Sequence, residues 1–351
     1  MDELVTSFAA KTGEWEVEAA EHIFGDGQPF PHCHAATLAE LPGEVFVAAW
    51  FAGTGEGEDD VGIWLSRREA GKWSRPKQVA KVRQHAHWNP VLFAPPGVAG
   101  RGRSKASGAL HLYFKVGDTI AEWETWLVTS TDGGETWSEP RELVAGDHGG
   151  RGPVKNKPII LSDGSWLAGA SLEPHGVGGK KKLWDAFADR STDGGKTWRA
   201  SDLVPIDHDA FAGNGIIQPT LWESAAGRVH MLMRSTAGAV YRSDSSDFGA
   251  TWSPAYRTAL PNNNSGVDLV KLADGALVLA LNPINVKVRT PLSLLISRDN
   301  GQAWTDRLDI ETDPEGRFAY PSIIASGRGV AAAYTWNSSR IAFWKGHLKS
   351  R

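Results

Sequence analysis

Short apolar runs recur along this chain, each followed by a polar turn and then a second short run. The runs at 61–65, 125–129, 185–189, 239–242 and 292–296 lead into related octets. The clearest are Ser130-Thr-Asp-Gly-Gly-Glu-Thr-Trp137 and Ser191-Thr-Asp-Gly-Gly-Lys-Thr-Trp198. Ser245-Ser-Asp-Phe-Gly-Ala-Thr-Trp252 and Ser297-Arg-Asp-Asn-Gly-Gln-Ala-Trp304 repeat the pattern, and Ser66-Arg-Arg-Glu-Ala-Gly-Lys-Trp73 is a worn copy. Starts at 66, 130, 191, 245 and 297 give intervals of 64, 61, 54 and 52 residues.

The octet predicts strand, turn, strand. Its Asp accepts backbone N–H groups a few residues on. Its Gly supplies positive φ without steric cost, and the closing Trp suits wedging between neighbouring sheets. Between octets, the pairs at 163–164, 226–227 and 274–275 (Asp-Gly or Ala-Gly) divide apolar runs where a hairpin needs a turn. A unit of roughly 55 residues thus holds about four strands, the content of a propeller blade. The 351 residues make about six such units. The unit without an octet is predicted to join strands at 329–336 and 340–346 to an N-terminal strand at 14–24, which closes the ring and removes sheet edges. The expected fold is all-β, a six-bladed propeller of four-stranded antiparallel blades, one domain over 1–351 with no linker. Segments 97–108 and 173–182 read as surface loops, with the lysine run at 180–182 a solvated face.

Composition narrows the function classes. Hydrophobic residues at 41% and charged residues at 22% exclude wholesale disorder, and 16 Trp with 39 Gly suit short strands with bulky packing between sheets. A net charge of −4 lacks the basic excess that tracks a phosphate backbone, so no nucleic-acid partner is expected. No apolar run is long enough to span a membrane. The single cysteine, Cys33, excludes a disulfide framework and a Cys-based zinc site, and no cofactor is expected. The first residues carry acids and no apolar core, which reads as a cytoplasmic location, or a secreted one if a leader has been removed. Oligomeric state is open.

The octet S-x-D-x-G-x-T-W resembles the Asp box of the sialidase-like propeller superfamily (BNR repeats). A closer resemblance, to a bacterial predicted-neuraminidase group, rests on His32-Cys-His-Ala-Ala-Thr-Leu38, Trp50-Phe-Ala-Gly-Thr54, Asp60-Val-Gly-Ile-Trp-Leu-Ser66, His87-Trp-Asn-Pro-Val-Leu92, Lys155-Asn-Lys-Pro158 and Asn264-Ser-Gly-Val-Asp268. The resemblance implies a site in which arginines hold a substrate carboxylate, a Tyr assisted by a Glu attacks, and an Asp serves as acid/base. It points to Arg234, with Arg242 as a neighbouring alternative, and to Arg289 for the carboxylate. Tyr320 matches the nucleophile and Asp60, with Asp59 as rival in a loop that also holds Glu56 and Glu58, the acid/base.

Two positions depart from that pattern. No Arg-Ile-Pro motif supplies the first arginine; His32, Cys33 and His34 stand there instead. The partner of the nucleophile falls on Gln218, which cannot take a proton. Histidine is tuned for proton transfer near neutral pH, so His34 and His87 are candidate catalytic groups, with His32 and His85 behind them. His32 and His34, two apart on a strand, share a face that two metal ligands could use, but no third ligand is indicated and no metal is expected. Lys157, on the same face as Lys155, is a candidate replacement for the missing arginine, and Asn264, beside Asn263, Ser265 and Asp268, a candidate hydroxyl ligand. Trp50, Trp88 and Trp336 are available for stacking on sugar rings.

The leading expectation is an exo-acting glycoside hydrolase on a terminal acidic sugar of an oligosaccharide or glycoconjugate. A polysaccharide lyase on uronate-containing glycans and a non-catalytic glycan-binding propeller are the alternatives.

Overall fold

A computed structural model describes residues 15–98, 108–174 and 182–349. The expected segment at 97–108, most of the lysine run and the start of the chain lie largely outside them. The described residues form six antiparallel sheets around an axis. Blade 1 holds His32–Leu41, Val45–Gly53 and Gly62–Glu69, edged by Lys72–Trp73 and Lys77–Ala80. Blade 2 holds His87–Phe93, Leu110–Val116, Glu124–Ser130 and Arg141–Glu142, and blade 3 holds Ile159–Ile160, Trp166–Leu172, Asp185–Ser191 and Arg199–Ala200. Blade 4 runs through Ile216–Ala225, Arg228–Ser235, Ala239–Ser245 and Tyr256–Pro261, and blade 5 through Asp268–Lys271, Leu277–Leu281, Leu292–Ser297 and Asp306–Glu311. Blade 6 combines Phe318–Ser326, Gly329–Trp336 and Arg340–Leu348 with the first strand, Trp15–His22, as expected.

The core is divided among the seams between blades. Val47 and Leu65 of blade 1 pack with Leu112 and Val128 of blade 2, and Leu127 of blade 2 with Ala168 of blade 3. Leu167 and Met231 meet at the next seam, Leu232 and Leu279 at the fourth, Leu294 and Ala332 at the fifth. Phe343 and Phe46 join blade 6 to blade 1. The octet tryptophans Trp137, Trp198, Trp252 and Trp304 pack into four of these clusters, the wedging their size suggested.

The octet turns share one hydrogen-bond scheme. Ser130 Oγ donates to Asp132 at 2.7 Å and accepts from the Gly134 amide at 2.8 Å, while the Glu135 and Thr136 amides donate to Asp132. Asp193, Asp247 and Asp299 repeat it. Burial opposes ionisation of Asp132, but the bonds from Thr136, Ser130 and Glu135 outweigh it and hold the carboxyl down at about 2. The worn copy has no Asp to gather amides. It turns instead through Ala70 and Gly71, with φ of 48° and 77°, the geometry of a tight two-residue hairpin.

The inner strands carry the feature that positions the site. In blades 1, 2, 4 and 6 the register slips by one residue, between His34 and Thr37, Trp88 and Val91, Ile217 and Thr220, and Ala319 and Ser322. Each slip holds a non-glycine residue at positive φ: Ala35 at 57°, Asn89 at 38°, Gln218 at 56° and Tyr320 at 53°. Such bulges re-aim a side chain. In three of them Pro90, Pro219 or Pro321 follows, a residue with no N–H to leave unpaired. For a side chain as large as tyrosine this conformation is strained, and strain of this kind persists where the surroundings over-determine it.

Candidate active site

The bulges open onto a cleft of about 290 Å³ at the axis, lined by His34, Asn89, Gln218 and Tyr320 from four blades. Arg234, Arg289 and Arg317 line its other side with Trp184, and Trp88, Ile120 and Trp123 form an apolar wall. Two acids, Glu56 and Glu173, face it as well.

Arg234 is held from several directions. Its Nε donates to Asn264 Oδ1 at 2.8 Å, and its Nη1 donates to Gln218 Oε1 at 3.1 Å and to the Tyr320 hydroxyl. Arg289 lies 5.7 Å from the Tyr320 ring centroid, Arg234 5.6 Å and the Lys155 ammonium 5.8 Å, so three cations surround one ring. Burial, and then the charges of Arg234 and Arg317 against the opposing pull of Tyr320, lower the proton affinity of Arg289. Lys155 is fully enclosed. It donates to Asn156 Oδ1 at 2.9 Å and to the carbonyls of Val267 and Pro321 at 3.3 and 2.5 Å, and burial brings its ammonium down to about 7.

The His34 ring lies 4.4 Å from that of Tyr320. Burial, reinforced by Arg289, His32, Arg317 and Arg234, pushes its proton affinity well below the ordinary range, so it is neutral near pH 7. Its Nδ1 is buried with no hydrogen-bond partner. Glu173 is also buried; desolvation raises its carboxyl against the pull of Arg234 and of Lys182, 3.8 Å away.

Several sequence expectations require correction. Asp60 is not in the cleft: its carboxylate folds back to accept the Thr54 amide and hydroxyl, each at 2.9 Å. Glu56, Glu58 and Asp59 are all exposed in the same loop, and of these Glu56 lines the cleft. His87 is wholly buried beneath Phe114. Its Nδ1–H donates to the His85 carbonyl and its Nε2 accepts from the Val82 amide, the neutral tautomer of a structural histidine, and burial holds it at about 4. His85 is on the surface, paired with Asp118. His32 is half-buried against Phe51.

Lys157 does not reach the cleft. Its ammonium pairs with the buried Asp268 at 3.0 Å, which also accepts from Thr220 and the Ile323 amide. Arg242 is spent on Asp244 and the Asn300 carbonyl. Trp50 is core and Trp336 packs on Phe318, whereas Trp88 does line the cleft. Asn264 serves Arg234. Lys182, the one described member of the lysine run, lines the cleft beside Glu173.

Arg317 and Glu173 were missed in the sequence, and Glu56 was read there only as one of the acids sharing a loop with Asp60. Arg317 stands just before the strand that carries Tyr320, a position for which no motif signal exists.

Fold and cleft together define a sialidase-like propeller. Residues 44–332 match the BNR repeat-like domain family, and the chain belongs to that family. It is 25% identical over 258 residues to a sialidase of Bacteroides fragilis, a match covering 64% of this chain and 45% of that protein's length. Among solved structures it resembles the Hadza microbial sialidase Hz136, with TM-score 0.74 and 15% identity over 94% of this chain and 68% of the other. A Dyadobacter fermentans protein of unknown function is as similar, with TM-score 0.74 and 13% identity over 95% and 99%. At these identities the structural likeness is one of fold.

Proposed function

We propose that this chain is a carbohydrate-active enzyme, a sialidase-like exo-glycoside hydrolase that takes a terminal sugar bearing a carboxylate. The observation that carries the reading is the convergence of Arg234, Arg289 and Tyr320, from three segments far apart in sequence, on one cleft. A guanidinium fork matches a carboxylate through two parallel hydrogen bonds. A tyrosine is an uncharged nucleophile and is not repelled by that carboxylate. In this reading the Tyr320 hydroxyl gives its proton to the neutral imidazole of His34 as its oxygen bonds to the anomeric carbon and the glycosidic C–O bond breaks, a cleft carboxyl protonates the leaving oxygen, and water then releases the sugar and returns a proton to Tyr320. Glu173 suits the proton-donor role better than Asp60, because burial raises its carboxyl. The likeness to the Bacteroides fragilis sialidase supports the class and leaves the sugar open.

One observation favours a second reading. His34 lies against Tyr320, and the hydroxyl of Tyr320 has no carboxylate partner among the described residues. On a uronate that set suits β-elimination. The arginines acidify the C5 proton, one of Tyr320 and His34 removes it, the C4–O bond breaks as the C4=C5 bond forms, and the leaving oxygen takes a proton from the other.

Incubating the protein with sialosides, ulosonides and uronides in heavy-oxygen water, with mass detection, separates the readings. A released acidic sugar carrying solvent oxygen supports hydrolysis. An unsaturated product without it transfers the assignment to elimination. Binding with no turnover of any of them makes the chain a glycan-binding propeller.

A further inference from the structure

We infer that Asp59, His85 and Asp118 form a site for a borderline first-row divalent cation, Zn²⁺ foremost, that straps the rim of blade 1 to the rim of blade 2. None of the three lines the cleft, so the site stands whatever sugar the cleft takes.

One ligand atom from each of the three side chains lies within 4.8 Å of the other two. His85 Nδ1 and Asp118 Oδ1 already share a hydrogen bond. Zn²⁺ holds nitrogen and oxygen ligands at about 2.0–2.2 Å. The side chains are exposed or half-buried, so small rotations seat them around one ion, and the proton between His85 and Asp118 leaves to solvent. The donor set selects the ion. One imidazole and two carboxylates, with open positions for water, suit Zn²⁺. Ca²⁺ and Mg²⁺ ask for a larger, all-oxygen shell. The sequence offered His32 and His34 for a metal without a third ligand; the fold assembles three ligands from separate segments instead.

The main chain holds these ligands together. The Lys81 ammonium donates to the carbonyls of Asp59, Val61 and His85, the last two at 2.9 and 3.0 Å. One residue thus pins Asp59 beside His85 through their backbones and leaves their side chains to the ion. The nearby cations do not cancel the site. Lys81 is spent on those carbonyls, and Arg83 pairs with Glu124 at 2.7 Å. Asp59, Asp118 and Glu122 leave the rim net negative with Lys81 counted. A pocket of about 380 Å³ beside His85 and Asp118 gives room for the ion's waters.

Both strapped segments reach the cleft. Asp59 shares its loop with Glu56, and Asp118 leads into the 3₁₀ turn Ile120–Glu122. Glu56 lines the cleft on one side of the site, and Ile120 and Trp123 line it on the other. Gly117, next to Asp118, accepts the indole N–H of Trp88, another lining residue, at 2.9 Å. An ion bridging Asp59 and Asp118 therefore fixes the span between the Glu56 loop and the apolar wall.

The test is calorimetric titration of ZnCl₂ into the chelator-treated full chain, beside CaCl₂ and MgCl₂. It is repeated on Asp59→Asn, His85→Ala and Asp118→Asn, with His347→Ala as a control from another His–Glu cluster. Thermal melting confirms that each variant folds. The wild type is expected to bind one Zn²⁺ at least about 10-fold more tightly than Ca²⁺ or Mg²⁺, and to melt higher with it. Each ligand variant should lose at least the roughly 10-fold in Zn²⁺ affinity that even a group behind a ligand commands, and His347→Ala should lose none. Bound Zn²⁺ should also slow amide exchange in residues 55–60 and 117–123. A wild type that binds no Zn²⁺, or wild-type affinity in any ligand variant, would overturn the site. Ca²⁺ or Mg²⁺ held as tightly as Zn²⁺ would refute the choice of ion. Unchanged exchange in both segments of the saturated protein would refute the strap.

Discussion

The Arg234 guanidinium, from blade 4, donates through Nη1 to the hydroxyl of Tyr320, from blade 6, across 86 residues of sequence. The bond couples the charge of one bulged strand's partner to the hydroxyl that is the nucleophile of the proposed reaction. Tyr320→Phe removes that atom and is expected to abolish turnover. Arg234→Met should lower kcat by about 10²–10³, the loss typical of one preorganised electrostatic donor, and raise KM as well, because the same guanidinium lines the cleft that receives the carboxylate. Steady-state kinetics on the substrate found by the panel checks this; an Arg234→Met variant with wild-type kcat would contradict the role of that guanidinium beside Tyr320.

Lys157 and Asp268 make a second test, of stability alone. Their buried pair joins blades 3 and 5, and Asp268 also holds Thr220 of blade 4 and the Ile323 amide of blade 6. Lys157→Met leaves the carboxylate without its cation at a cost of about 3–5 kcal/mol. A clearly lower Tm with unchanged acidic-sugar affinity is the expected result. Lost affinity with an unchanged Tm would return Lys157 to the binding site.

The burial of His87 makes stability pH-dependent. Its folded pKa, about 4, lies below the unfolded value of roughly 6.5, so the unfolded chain binds more protons between the two. Its contribution is complete above pH ~6.5 and is progressively lost as pH falls towards ~4, by up to about 3 kcal/mol. His111, also held at about 4 by burial, acts in the same window. Melting curves of wild type and His87→Asn between these pH values should show a shallower pH slope in the variant; identical slopes would exclude His87 as the source.

The octet turns are predicted to be structural. Asp132→Ala removes the acceptor of two amides and of the Thr136 hydroxyl and should cost about 1–2 kcal/mol. Turnover at temperatures below the transition should not change. A folded Asp132→Ala protein without activity would give the turn a role in the chemistry.

Much of the architecture could be read from the sequence because its signals are local. Asp132 and its three counterparts announce their turns, and the unequal strand-to-turn spacing still yields one blade per octet. Tyr320, Arg234, Arg289 and His34 were legible through the resemblance. The site failed to read where a one-residue offset decides which way a side chain points. His34 precedes the positive-φ residue Ala35, whereas in blade 2 that residue is Asn89, so the counterpart of His34 is Trp88. His87 aligns instead with Cys33, Ile216 and Phe318, all buried. The prolines at 90, 219 and 321, inside runs that otherwise read as strands, were the available signal for those bulges. Asp60 and Lys157 misled for another reason: their partners Thr54 and Asp268 are set by loop closure and by a contact across blades, which spacing along the chain does not record.

Trp15–His22 lies antiparallel to Arg340–Leu348, so blade 6, which bears Tyr320, is completed by the opposite end of the described chain. A nascent polypeptide can thus stack five sheets in order of synthesis and still lack a working centre. The latch between the first and last described strands makes completion of the cleft wait on closure of the ring.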